Sequence, residues 1–363
     1  MKQIRVLVID DSAVMRAIMN RVISSQPDMQ VVGLASDPLV AMERMRTAAP
    51  DVLTLDVEMP RMSGMDFLAT LMRTRPMPVV MVSSLTARGA ETTLKALELG
   101  AVDFVAKPVA AVGCDLERYA EEITEKIRGA AFSRPGRPVA ELPVARPRAA
   151  KTRLAFTGNA RNTVIAIGAS TGGVEALREV LVELPAAMPP IAIAQHMPAG
   201  FTRSFADRLN ALCQIEVKEG EDGEPLIAGR AYVAPGGRHM LLAGKGSSIC
   251  LKISDAPPVN RHRPSVDCLF RSAALAAGPR CIGVMLSGMG SDGADAMLAL
   301  RRAGAHNIAQ DEASCVVFGM PKQAIAAGAV DEVLPLHDIG RRLVELAGRH
   351  DANYRYSPAD HIA

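Results

Sequence analysis

Short apolar runs rich in Val, Ile and Leu alternate along this chain with longer stretches whose apolar positions return every three or four residues. The short runs read as buried strands, and the longer stretches as helices with one apolar face. In the first third the pattern predicts strands at Ile4–Ile9, Val31–Ala35, Val52–Leu55, Val79–Val82 and Asp103–Val105. A helix follows each: one from near Ala13, then Pro38–Ala48, Asp66–Arg73, Ala87–Leu99 and a last one after Pro108. Five βα units in succession predict a (βα)5 doubly wound α/β domain over residues 1–127.

The pattern then stops. Over residues 128–161 eight basic residues (Arg128, Arg134, Arg137, Arg146, Arg148, Lys151, Arg153, Arg161) stand against the single acid Glu141. Pro135, Pro138, Pro143 and Pro147 break any helix there, so the stretch is expected to be a flexible basic linker. Periodicity resumes over residues 162–347. Strands are expected at Val164–Ile167, Ile191–Ala194, Arg230–Ala234, Cys281–Leu286, Ile308–Gln310 and Val330–Val333. Helices are expected from Val174, at Phe201–Leu212, Val266–Ala277, up to about Arg302, at Pro321–Ala327 and from Ile339. Met240–Ala243 and Ser248–Ile253 read as an antiparallel hairpin about Gly244–Ser247. The second domain is therefore also a doubly wound, mostly parallel α/β sheet, with one antiparallel hairpin. Residues 348–363 form a tail with no role assigned.

Composition narrows the function. Basic and acidic residues number 41 and 39, which excludes a general polyanion binder. Aromatics are 3% with no tryptophan, and no helix-turn-helix pattern accompanies the basic linker, so no nucleic-acid partner is expected. The chain opens directly on a strand, without an apolar leader, and no apolar run reaches membrane-spanning length. A cytoplasmic protein without membrane insertion is the expectation. Six widely spaced cysteines argue against a disulfide framework or a zinc knuckle.

The chemistry gathers where strands end. In the first domain these ends carry Asp10 and Asp11, Asp56, Ser83 and Lys107. Carboxyl ends of parallel strands share one sheet edge, so the side chains can converge. Three carboxylates held close repel unless a cation sits among them, and a hard divalent ion such as Mg²⁺ suits oxygen ligands. A lysine and a hydroxyl beside them can hold phosphoryl oxygens. On these residues the domain resembles the receiver domain of bacterial two-component response regulators. The resemblance implies that Asp56 accepts a phosphoryl group, that Asp10 and Asp11 with Asp56 hold Mg²⁺, and that Ser83 and Lys107 meet the phosphoryl group. It also implies that Phe104 repacks on activation and that the Lys107–Pro108 bond is cis.

In the second domain Ser170 lies on a glycine-lined turn after a strand, His196 follows another strand, and Asp292 follows a third. A serine hydroxyl needs an imidazole to take its proton, and a buried carboxylate steadies the imidazole. Backbone N–H groups at Met289, and at the turn Thr171–Gly173, are candidate oxyanion donors. From spacing alone His239 and His262 remain open as the base, and Asp292 or Asp295 as helix caps. The motifs GASTGG (168–173), QHMP (195–198), the PGG–H turn (235–239) and SGMGSDGA (287–294) resemble the catalytic domain of the chemotaxis methylesterases. That resemblance implies Ser170 as nucleophile, His196 as base, Asp292 as its orienting acid and the Met289 N–H as oxyanion donor, with no cofactor for ester hydrolysis. It further implies glutamyl methyl esters on cytoplasmic helices of methyl-accepting chemoreceptors as substrate, with deamidation of receptor glutamines in many members. A chemotaxis histidine kinase is the phosphodonor it implies. A triad hydrolase of another ester or amide, and a phosphorylation-controlled interaction protein, are the alternative readings.

Overall fold

The computed structural model describes residues 3–59, 62–108, 114–133, 163–246 and 248–354. The chain divides into two units, Met1–Arg148 and Ala149–Ala363. The expected linker, apart from its first residues, lies outside the described residues. Among the described residues no helix is long and apolar enough to cross a membrane.

In the first unit strands β1 (Ile4–Ile9), β2 (Met29–Ala35), β3 (Val52–Asp56), β4 (Val79–Ser83) and β5 (Asp103–Ala106) alternate with helices α1 (Ala13–Ser24), α2 (Pro38–Ala48), α3 (Gly64–Thr74), α4 (Ala87–Glu98) and α5 (Cys114–Phe132). The sheet runs β2-β1-β3-β4-β5, every pair parallel. Four βα turns close on a polar cap: Ser12, Asp37, Ser63 and Thr86 each accept a backbone N–H of the helix they precede. The chain leaves β1 toward β2 on one side and returns to β3 on the other. The crevice beyond the carboxyl ends of β1 and β3 is thus the switch point where such sheets bind ligands. Helix α5 runs on to Phe132, and Arg128 within it donates to both carboxylate oxygens of Asp28 at 2.7 and 2.9 Å. The residue expected to open the linker is instead part of the helix.

The second unit is built on β6 (Val164–Ala169), β7 (Ile191–Gln195), β8 (Glu216–Glu219), β9 (Arg230–Val233), β10 (His239–Ala243), β11 (Cys250–Ser254), β12 (Cys281–Met285), β13 (His306–Gln310) and β14 (Glu332–Leu334). Its helices are α6 (Gly173–Val182), α7 (Phe201–Leu212), α8 (Val266–Ala276), α9 (Ala294–Arg302), α10 (Met320–Ala326) and α11 (Leu336–Tyr354). Seven strands, β14-β13-β12-β6-β7-β9-β8, form one wholly parallel sheet. The hairpin β10–β11 forms at the expected place, in register from His239↔Ser254 to Ala243↔Cys250, but as a separate two-stranded sheet. Strand β8 was not expected; it is an edge strand of sequence EVKE in which only Val217 is buried. Helix α11 starts three residues before Ile339 and carries the start of the expected tail on to Tyr354. The cis peptide among the described residues is Arg263–Pro264; Lys107–Pro108 does not share it. For a bond to proline the trans form remains the favoured one.

Helix α8 crosses β6, β7 and β12 and also packs on β10, so it joins hairpin to sheet. Phe270 and Leu269 of α8 enter a core with Tyr232, Met240, Leu242 and Leu251. Close approach of α8 to the sheet requires Gly168: a Cβ there would run into Val266 Cγ1, with Cγ2 at 3.0 Å. Replacing Gly168 with alanine therefore overpacks this contact and costs roughly 1–3 kcal/mol. The expected outcome is a thermal midpoint several degrees lower, with native circular dichroism at 25 °C; an unchanged midpoint contradicts the packing.

Candidate active site and phosphoacceptor pocket

At the switch point of the first unit Asp10 follows β1 and Asp56 ends β3, both buried, while Asp11 is exposed. Carboxylate oxygens of the three lie within 4.8 Å of one another. Lys107, just past β5, places its Nζ 2.7 Å from Asp56 Oδ2 and 3.6 Å from Asp10 Oδ2. Burial pushes the Asp56 carboxyl up to about 6, against the opposing hydrogen bond and charge of Lys107. Burial likewise raises Asp10, and the charge of Lys107 only partly offsets it. One ammonium does not neutralise three converging acids. The donor set fits a divalent cation, which Asp10, Asp11 and Asp56 would hold.

Ser83 ends β4 fully buried, with its hydroxyl directed to the carbonyls of Gly89 at 3.3 Å and Ser84 at 3.4 Å. Phe104 is buried on β5, with Lys126 Nζ 5.0 Å from its ring centroid. Lys107 and the acids thus meet directly, whereas Ser83 and Phe104 line adjoining strands.

In the second unit the strand order places β6 between β12 and β7. Ser170 follows β6, and His196 follows β7 with its backbone N–H donating to Ala169 C=O at 3.1 Å. The imidazole bridges the other two groups: Nδ1 lies 3.1 Å from Ser170 Oγ and Nε2 lies 2.8 Å from Asp292 Oδ2. The carboxylate accepts only, so the ring proton belongs on Nε2 and the Nδ1 lone pair faces the serine hydroxyl. This is the reverse of the chymotrypsin-type use of the two nitrogens.

Asp292 is buried and receives three further donors. Asn260 Nδ2 and Ser265 Oγ each donate to Oδ1 at 2.8 Å, and the Val266 N–H donates to Oδ2 at 2.6 Å. Burial by itself would raise this carboxyl, but hydrogen bonding and charge from His196, then the bonds from Asn260 and Ser265, hold it far below the usual carboxylate range. The same donors favour its ionised form. Asp292 does cap a helix, though not the one that follows it: it takes the first N–H of α8, whose N-cap residue Ser265 spends its hydroxyl on Asp292. Asp295 is exposed in the first turn of α9.

The rival histidines separate by their partners. His239 is buried with both nitrogens on backbone: Nδ1 accepts from Ser265 N–H at 3.2 Å and Nε2 donates to Pro257 C=O at 3.0 Å. It ties down the loop beneath Asp292. The His262 ring stacks on that of His196.

Beyond β12, the Ser287–Gly290 turn is pinned against the Ser170 turn. Ser170 N–H donates to Ser287 C=O at 3.0 Å, and Ser287 Oγ donates to Thr171 C=O at 2.8 Å. Gly288 permits this approach, since a Cβ there would meet Met320 Sδ and come within 2.8 Å of Ser170 Cβ. Met289 is half-buried, and no acceptor among the described residues takes its N–H. The Gly173 N–H is used inside its own turn, on Ser170 C=O at 2.7 Å. Gln195 Nε2 donates to the carbonyls of both Ser170 (3.0 Å) and His196 (3.1 Å), bracketing the two backbones. Gln195 had appeared only as part of a motif, and Asn260 and Ser265 carried no signal beyond lying in a polar loop and at a helix start.

A receiver-type α/β domain joined to an α/β ester hydrolase is the class of protein these two units define. Residues 165–343 match the family described as CheB methylesterase, and residues 6–113 match the response regulator receiver domain. The protein-glutamate methylesterase/protein-glutamine glutaminase of Thiobacillus denitrificans is 55% identical over 350 residues, 96% of this chain and 98% of that protein. A protein of the same description from Bordetella parapertussis is 57% identical over 349 residues, again 96% of this chain and 98% of the other. The crystal structure of the Thermotoga maritima CheB methylesterase catalytic domain matches at 39% identity and TM-score 0.50, over 51% of this chain and 98% of that one. The chain belongs to the CheB methylesterase family and is a carboxylic ester hydrolase carrying a response regulator receiver domain.

If the acid cluster takes Mg²⁺, the cation stabilises the first unit by about 1.4 kcal/mol at tenfold excess over its Kd. Thermal unfolding with MgCl₂ is then expected to show a higher midpoint than with EDTA, and Asp10→Asn to lose the shift. Equal midpoints with and without the ion would remove the cation from this pocket.

Proposed function

We propose that this chain hydrolyses glutamyl methyl esters on chemoreceptor cytoplasmic helices, and deamidates receptor glutamines, through Ser170, His196 and Asp292. The observation that carries the reading is the imidazole of His196 held between the serine hydroxyl and the buried carboxylate. In the proposed reaction His196 Nδ1 takes the Ser170 proton as Oγ attacks the ester carbonyl carbon. The new oxyanion faces the Met289 N–H. The tetrahedral adduct collapses, the C–O bond to the methoxy group breaks, and the proton on Nδ1 leaves with methanol. Water then attacks the acyl-enzyme with Nδ1 again as base, releasing the glutamate carboxylate and restoring the hydroxyl. Asp292 keeps the imidazole proton on Nε2 and faces the imidazolium charge in each half-reaction. For a glutamine the leaving group is ammonia.

The first unit is proposed to control this activity. Asp56 is the phosphoacceptor; Asp10, Asp11 and Asp56 would hold a divalent cation, which would supply positive charge to offset that of the phosphoryl oxygens. Lys107 lies within ion-pair reach of Asp56, where it would meet the transferred group. A chemotaxis histidine kinase fits as phosphodonor, and the similar protein-glutamate methylesterases/protein-glutamine glutaminases support the substrate.

Methanol release from methylated receptor is expected to fall roughly 10⁴-fold or more in Ser170→Ala, as for loss of a nucleophile elsewhere. A loss of only a few-fold would sink the serine assignment. A small-molecule phosphodonor with Mg²⁺ is expected to raise the rate several-fold in the native chain and leave Asp56→Asn unchanged. An equal response in both would place the control elsewhere.

A further inference from the structure

Between the hairpin and α8 the chain makes a tight turn at Val259–His262. These two residues exchange both backbone hydrogen bonds, at 3.1 and 2.9 Å. The residues between them, Asn260 and Arg261, both have positive φ, 51° and 68°. That is the geometry of a type I′ turn, in which the second position ordinarily prefers glycine. An arginine there is strained, and the strain persists only where surrounding contacts hold it. Two side chains of this turn reach the triad. The Asn260 amide joins Asp292 Oδ1 at 2.8 Å to Asp267 Oδ2 at 2.9 Å. The His262 ring lies flat on that of His196, with centroids 3.7 Å apart and planes 10° from parallel.

The two hydrogen bonds of His196 leave from opposite sides of its ring, one to Ser170 and one to Asp292. Together they define an axis. They resist sliding along it, but rocking of the ring about it changes neither distance to first order. A flat partner in van der Waals contact with one face opposes that rocking. It also presents a π face where the imidazolium charge develops, and such a face attracts a cation.

We propose that His262 is a positioning residue: its ring, presented by the strained turn, holds the plane of His196 so that Nδ1 stays in line with Ser170 Oγ. This rests on the triad reading above. What His262 supplies is a flat surface, so another flat ring should serve in its place and a small or non-aromatic polar side chain should not.

The test uses the full-length chain and a small fluorophosphonate, whose reaction with Ser170 reads activation of the hydroxyl without receptor binding. In His262→Ala and His262→Asn the second-order rate is expected to fall about tenfold, equivalent to about 1.4 kcal/mol. In His262→Phe most of the reactivity should return. With methylated receptor as substrate the same loss should appear in kcat, with KM within about twofold. Thermal midpoints of the three variants establish that each is folded before rates are compared. Equal rates in all three and the native chain would overturn the proposal, and so would His262→Phe being as slow as His262→Ala at matched stability. A folded native chain that fails to react with the probe overturns the triad reading itself; a reactive native chain with an equally reactive His262→Ala overturns only the role of His262.

Discussion

The arrangement around Ser170 depends on one buried charge. Asp292 sits 2% exposed with four donors on its two oxygens, from a histidine ring, an amide, a hydroxyl and a backbone N–H. A carboxylate taken out of water is tolerated only when its lone pairs are matched this way. The donors come from three pieces of chain: His196 just past β7, Asn260 in the 259–262 turn, and the adjacent Ser265 and Val266 at the start of α8. Satisfying the charge therefore fixes these three segments against the loop that carries Asp292. Loss of a single donor leaves a buried acceptor short, at about 1–3 kcal/mol.

The first unit uses the same sheet edge with the opposite electrostatic balance. Asp10 and Asp56 are also buried at a switch point, but they share one lysine and their carboxyls are pushed upward. Asp292 has more donors than burial can outweigh and is held down. A surplus of negative charge suits a pocket that awaits a cation and a phosphoryl group. A saturated carboxylate suits a group that must stay ionised and still through a catalytic cycle. The strand ends are alike; the count of donors separates the two chemistries.

Much of this was legible in the chain before any coordinates. Buried parallel strands are nearly continuous apolar runs, so Asp56, Ser170 and His196 stood out as polar residues where such runs end, and Asp292 as the acid in the glycine-rich loop after another. Strand β8 did not stand out, because an edge strand with one buried side chain has no apolar run to show. The choice among His196, His239 and His262 was closed to spacing, since each lies at or beside a turn: just past β7, at the start of β10 and in the 259–262 turn. It turns on what each ring nitrogen meets, which only the fold decides. The support for Asp292 was hidden for a different reason. Ser265 stands where a serine ordinarily caps its own helix, and here it gives that bond away. Asn260 lies in a turn whose residues, apart from the asparagine, give no hint of positive φ.

The order of the three groups along the chain, and the way the imidazole is used, both follow from the strand order β12-β6-β7. The chain lays down β6 and its serine first, then β7 and its histidine on one side. It returns through the hairpin and α8 before β12 and the aspartate arrive on the other. Ser, His, Asp is the sequence this winding imposes, whereas α/β-hydrolases reach a comparable constellation as Ser, Asp, His. His196 leaves β7 one residue past its end, its N–H still on the Ala169 carbonyl beside Ser170. From that origin the serine is the near neighbour, within reach of Nδ1, the ring nitrogen closer to the backbone. The carboxylate lies past β6, in the loop beyond β12, and only the distal Nε2 extends that far. A base supplied from the other side of the nucleophile's strand, or from further along its own loop, would meet the serine with its outer nitrogen instead.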